Sequence, residues 1–122
     1  MKKNQSFSLA ARIRSFVYAF NGINQFFKSE HNAMLHLVAT ITVLFLAIIC
    51  KVSAMESSIL VVVTGFVWAA EIFNTAIEKI MDYISIDREP EIKFIKDVAA
   101  AAVLVAAITA FTTGCIIFIP KF

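Results

Sequence analysis

Charge is scarce in this chain: Asp, Glu, Lys and Arg make up 16% of its 122 residues, against roughly 25% in an ordinary soluble domain. Glycine occurs three times, at Gly22, Gly65 and Gly114. That scatter excludes a glycine-rich phosphate loop of the dinucleotide or P-loop kind. The two cysteines, Cys50 and Cys115, sit in apolar surroundings without CxxC spacing. Neither a disulfide framework nor a zinc site is indicated, and both read as polarisable apolar filler. A formal net charge of +2 is too small to argue for a nucleic-acid partner, so none is expected. The first thirty residues lack a continuous apolar core, so no signal peptide is expected.

Hydrophobic residues, by contrast, reach 60% and the mean hydropathy is +0.82. A chain of 122 residues has room for one domain, and a soluble domain of that size has too much surface per volume to hide such an excess. A membrane protein is expected. Three stretches carry no formal charge: His31 to Cys50, Ser57 to Ala70 and Val98 to Pro120. The first and third are long enough to cross a ~30 Å hydrocarbon core at ~1.5 Å per residue. The second reaches that length only if it runs on through Glu71, which puts an ionisable group near the membrane boundary.

Ahead of the first span, Leu9, Ile13, Phe16, Phe20, Ile23 and Phe27 recur at spacings of 4, 3, 4, 3 and 4, one narrow apolar stripe on a surface helix. The expected fold is therefore an all-α membrane protein of one domain, 1–122. It has an amphipathic surface helix over about 7–29 and spans over about 32–50, 54–73 and 97–119, the second continuing as a cytoplasmic helix to about 84. Lys2, Lys3, Arg12, Arg14 and Lys28 precede the first span; Lys79, Arg88, Lys93 and Lys96 lie between the second and third. The loops on the other side carry Lys51 and Lys121. By the positive-inside rule the N-terminus and residues 72–97 face the cytoplasm. Asp87-Arg88-Glu89-Pro90-Glu91 reads as the turn of that hairpin, with Pro90 ending any continuous helix.

The chemistry gathers in Glu71-Ile-Phe-Asn74-Thr-Ala-Ile-Glu78-Lys-Ile-Met-Asp82. On a helix Glu71, Asn74, Glu78 and Asp82 fall within roughly 80° of one another. Such a stripe repels itself, so something positive should face it. Hard oxygen ligands of this type suit Mg²⁺, which takes one or two carboxylates together with substrate phosphates. Glu30 stands at the same boundary, and Lys96-Asp97 opens the third span, Lys96 within reach of phosphate and Asp97 in a first helical turn that favours negative charge. His31 and His36 lie five apart, not the spacing of a helical metal pair, and read as interface or core histidines. Phosphoryl transfer fits these facts. A small ion or proton transporter using the buried acids also fits, as does an inert assembly subunit, and spacing does not separate them.

The run from Glu71 to Asp82, followed by Lys96-Asp97-Val-Ala-Ala-Ala-Ala-Val-Leu, with Ser15-Phe-Val-Tyr18-Ala-Phe-Asn-Gly22-Ile and Ser29-Glu30-His-Asn32 upstream, resembles the prokaryotic diacylglycerol kinase family. That family comprises small three-span lipid kinases of bacterial cell (inner) membranes, the undecaprenol kinases among them. The resemblance implies a homotrimer with composite active sites, MgATP as donor and a membrane lipid alcohol, undecaprenol or diacylglycerol, as acceptor. It implies Glu71 as general base and Glu30 and Glu78 as metal ligands. It further implies Tyr18, Glu30, Asn74, Glu78, Lys96 and Asp97 as the nucleotide site, with Arg12 or Arg14 in place of an early arginine. Ser29-Glu-His-Asn-Ala-Met-Leu-His36, the Asn-Thr-Ala-Ile-Glu core and the ending Phe118-Ile-Pro-Lys-Phe lean toward the undecaprenol branch. Ala33 and Met34 depart from it.

Overall fold

Ser8 fixes the first helix by accepting a hydrogen bond at its Oγ from the Ala11 N–H at 3.3 Å, which satisfies one of the free donors of the opening turn. In the computed structural model, which describes residues 7–87 and 89–122, this helix, α1, runs Leu9–Ser29. It is followed by α2, His31–Ile49, α3, Ala54–Ile84, and α4, Pro90–Phe118, which passes into a short 3-10 turn at Ile119–Lys121. No described residue is in a strand. Lys2, Lys3 and Arg88, which entered the charge count, lie outside the described residues.

The chain forms two compact units, Met1–Met34 and Leu35–Phe122. In the first, the apolar stripe of α1 is uncovered: Leu9, Ile13, Phe16 and Phe20 are all more than half exposed. Phe26, which lies off the stripe, is the buried residue of the helix. A bilayer surface is the natural cover for a stripe of this kind. Glu30 is extended and ends α1, its N–H donating to the Phe26 carbonyl at 3.0 Å.

In the second unit, α3 and α4 pack along a seam of small and apolar residues spaced by sevens. Leu60, Val67 and Asn74 lie on one side, Ile92, Ala99 and Ala106 on the other, all buried. A seven-residue repeat keeps one stripe of each helix facing its partner, and alanines let the backbones come close. The antiparallel pair is pinned at both ends. Lys121 Nζ lies 3.2 Å from Glu56 Oε1, and Lys96 Nζ lies 2.5 Å from Asp82 Oδ1. Near the first of these, Leu60, Ile117 and Phe118 form a small core against Val43, Leu46 and Ala47 of α2.

Local chemistry explains the ends. Ser53 and Glu56 form a reciprocal capping box at the start of α3. Between α2 and α3 the chain turns at Lys51, whose φ of 51° is left-handed, with the Val52 N–H returning to the Ala47 carbonyl at 3.2 Å. The helix is broken before Pro90, as expected, and Pro90 itself starts the next one. At the first position its missing N–H is not needed and its fixed φ is already helical, so α4 begins seven residues before 97. Asp97 is consequently two turns inside α4, not in its first turn, and the explanation from free N–H groups at the helix start does not apply to it.

Among the described residues, α2, α3 and the segment Pro90–Lys121 are each long and apolar enough to cross a membrane. The hydroxyls of Thr40, Thr42, Thr109 and Thr113 donate to the carbonyl four residues before them at 2.7–2.8 Å. This hides their polarity inside helices that must face hydrocarbon.

Candidate active site

The acidic stripe of α3 is graded by depth. Glu71 is 2% exposed and Asn74 8%, whereas Glu78 is half-buried and Asp82 exposed. A helix rises ~1.5 Å per residue, so Glu71 and Glu78 stand ~10 Å apart along the axis. The face can therefore hold two separate functions, one deep and one nearer water.

At the deep end, His36 of α2 brings Nε2 to 3.4 Å from Glu71 Oε2, with the two side chains 18% and 3% exposed. The Trp68 indole N–H donates to Thr40 Oγ1 at 2.9 Å, and the His36 and Trp68 rings lie 6.0 Å apart. His36 was expected only as an interface or core histidine. It is the partner of the buried acid. The sequence held one usable signal: an acid within an apolar helix needs a polar partner, and His36 is the ionisable group at comparable depth on the preceding span. Thr75, one residue beyond Asn74, also escaped the sequence reading. It is buried, and neither its Oγ1 nor Asn74 Oδ1 finds a hydrogen-bond partner among the described residues.

Further along the stripe, Asn74 Nδ2 donates to Glu78 Oε1 at 2.9 Å, orienting that carboxylate. The expectation that something positive faces the stripe is met at Asp82, where Lys96 arrives from α4. Asp97 is drawn elsewhere, to Lys93 at 2.5 Å on its own helix, and both are largely exposed. Glu30 and Tyr18 belong to the first unit; Glu30 is the extended residue between α1 and α2, and Tyr18 is 67% exposed on α1. Among the described residues no three His, Cys, Asp or Glu are grouped so as to hold a metal ion.

Beside the His36–Glu71 pair lies a cavity of about 460 Å³ among α2, α3 and α4. His36, Thr40, Thr64 and Trp68 bring polar groups to its wall, and Val43, Leu46, Ala110, Phe111 and Phe118 line much of the rest.

Fold and site together define a polytopic helical membrane protein that keeps a carboxylate out of water beside an apolar cavity. Residues 17–118 match the model of the family described as prokaryotic diacylglycerol kinase. The chain is 36% identical over 108 residues to the undecaprenol kinase of Bacillus subtilis, covering 88% of each chain. It is 32% identical over 107 residues to the diacylglycerol kinase of a Synechocystis species, covering 87% of this chain and 61% of that longer one. The chain belongs to the prokaryotic diacylglycerol kinase family, a family of lipid kinases. The transporter reading finds no support among these relatives.

Proposed function

We propose that this protein transfers the terminal phosphoryl group of ATP to the hydroxyl of a membrane lipid alcohol, giving the lipid monophosphate and ADP. The activity class follows from family membership; the observation that carries its location is Glu71, a carboxylate 2% exposed in a helix long enough to span the membrane. Acids are kept in such places for function.

In this reading Glu71 accepts the proton of the acceptor hydroxyl at one carboxylate oxygen. The acceptor oxygen forms its bond to the γ-phosphorus, while the bond from that phosphorus to the bridging oxygen breaks and leaves its electron pair on ADP. The reaction demands positioning and electrostatic stabilisation more than covalent help. Burial suits the step, since the acceptor is itself a membrane lipid and meets the base away from bulk water.

Asn74, Glu78, Lys96 and Asp97, with Tyr18 and Glu30 of the first unit, are the proposed nucleotide site, Lys96 adding positive charge toward phosphate. The donor chemistry fits Mg²⁺. Glu30 and Glu78 are hard oxygen donors, Asn74 holds one Glu78 oxygen in place, and Mg²⁺ completes its shell with phosphate and water oxygens rather than with a third protein carboxylate. Held by Glu30 and Glu78, it would supply positive charge against the triphosphate. The N-terminus, these carboxylates and the nucleotide are proposed to face the cytoplasm at the inner membrane, in a homotrimer.

Undecaprenol is the acceptor we favour over diacylglycerol, because the relative with 36% identity and 88% coverage of both chains carries that name. Purified protein given labelled ATP, Mg²⁺ and either a polyprenol or diacylglycerol in separate mixed micelles decides it. Label in the polyprenyl product is expected; label only in phosphatidic acid reverses the choice of acceptor, and label in neither removes the activity.

A further inference from the structure

A glutamate that acts as a base has two equivalent oxygens and a broad terminal torsion. Burial alone does not decide which oxygen meets the substrate. Oε2 of Glu71 is the oxygen that His36 Nε2 approaches at 3.4 Å, within a pair almost withdrawn from solvent. An ionised carboxylate, the form a base requires, offers only lone pairs, so a proton on the facing ring nitrogen is what would attract it, and at 3.4 Å a small shift closes the approach to a hydrogen bond.

The framework around this contact is tied one turn away on both helices. Thr40, four residues after His36, donates its hydroxyl to the His36 carbonyl at 2.7 Å and accepts the Trp68 N–H at 2.9 Å. Trp68 precedes Glu71 by three residues, so it stands on the same face of α3. One threonine hydroxyl thereby joins the backbone that carries His36 to the helix that carries Glu71. His36 also lines the apolar cavity, which sets the pair at the meeting point of carboxylate and hydrocarbon-compatible space.

We infer that His36 is a positioning residue for Glu71: its Nε2–H holds Oε2, leaving Oε1 as the oxygen presented to the acceptor hydroxyl. This rests on the reading of Glu71 as the base. His36 has no part in the proposed nucleotide site. Its loss therefore lowers turnover and leaves ATP binding alone, because a base free to swing is productive in a smaller fraction of encounters.

The test uses the full chain in mixed micelles with MgATP and a polyprenol, and separately with diacylglycerol. Three variants are compared: His36→Leu, which keeps apolar bulk and loses the donor, His36→Gln, whose amide N–H reaches the place of Nε2, and His36→Asn, which is too short to reach. His36→Leu and His36→Asn are expected to lower kcat about 10- to 100-fold with KM for ATP unchanged, within the cost of misplacing a reacting group by an ångström. His36→Gln is expected to recover most of it. Circular dichroism and gel filtration check that each variant is folded. If His36→Leu does not fold, the decision passes to His36→Gln against His36→Asn. Wild-type kcat in the leucine or asparagine variant, or equal loss in glutamine and asparagine, overturns the proposal.

Glu71→Gln measured alongside separates the two layers. If it retains wild-type kcat, the base reading fails. If it is inactive while His36→Leu is unimpaired, only the positioning role fails. Adding His36→Leu to Glu71→Gln should lower kcat no further, since residues acting as a unit are not additive.

Discussion

Lys96 Nζ stands 2.5 Å from Asp82 Oδ1, joining α4 to the exposed end of the acidic stripe across the hairpin. Both side chains reach solvent, so the pair contributes little to stability, of the order of 0–1 kcal/mol. Its consequence is positional. Among the described residues Lys96 is the lysine that meets the stripe, at its exposed end and nearer Glu78 than Glu71 along the helix, which suits the role proposed for it toward phosphate. Asp82→Asn is therefore expected to leave the thermal midpoint almost unchanged and kcat within a few-fold. Lys96→Met should raise KM for ATP about tenfold, equivalent to ~1.4 kcal/mol of lost contact. Equal kinetics in the two variants would show that Lys96 serves only the bridge.

Glu71→Gln preserves the shape of the deep site and removes the proposed proton acceptor. Turnover is expected to fall at least about 100-fold, the lower end of general-base contributions, while the helical content and the melting temperature in detergent hold. Radiolabel transfer to lipid measures the first and circular dichroism the second.

Glu78 is a different case, being half-buried and held by the Asn74 amide. Chelating divalent metal should stop phosphorylation, and added Mg²⁺ should restore it. Glu78→Gln is expected to raise the Mg²⁺ concentration for half-maximal rate about tenfold or more, as befits a lost charged contact of ~1.5–3 kcal/mol. An unaltered Mg²⁺ dependence would remove Glu78 from the metal site.

Ala106 is fully buried and lies on the α3–α4 seam. Ala106→Leu forces side-chain bulk where two backbones approach, at a cost of about 1–3 kcal/mol. Ile108→Leu, at a position 56% exposed, should change stability by no more than ~0.5 kcal/mol. Thermal unfolding in detergent distinguishes the two, and equal midpoints would show that the seam is not closely packed.

Lys51 carries a left-handed φ of 51°, which costs a residue with a Cβ roughly 1–2 kcal/mol. Lys51→Gly should relieve part of that and raise the melting midpoint, because the turn between α2 and α3 needs the conformation and not the side chain. A lower midpoint would mean that the lysine is held there by its charge.

Much of the molecule was legible in the residue order because the bilayer simplifies the physics. A chain this apolar has to satisfy its backbone internally, so uncharged stretches of spanning length must be helices. Period alone places Glu71, Asn74, Glu78 and Asp82 on one face, and this is a local property of α3. One local reading fails: the break between α3 and α4 falls where Pro90 predicts it, but Pro90 itself opens α4, so Asp97 is not in a first helical turn. The charge on Asp97 is occupied by Lys93 one turn back, an i, i+4 pairing that was visible in the spacing once the helix start was right.

What the sequence by itself determined is the set of helices, the membrane as their solvent and the presence of a buried acid on the second span. Each of these follows from composition or from contacts within a few residues. What only the tertiary structure decided is who answers that acid. His36 meets Glu71 and Thr40 meets Trp68 across two helices, and Lys96 reaches Asp82 from a third. Helical period fixes the face a residue occupies on its own helix but not the rotation of one helix against another. That rotation is set by how the helices pack, α4 along its seam with α3 and α2 against α3 on its own account, and it selects which polar groups, far apart in the chain, meet.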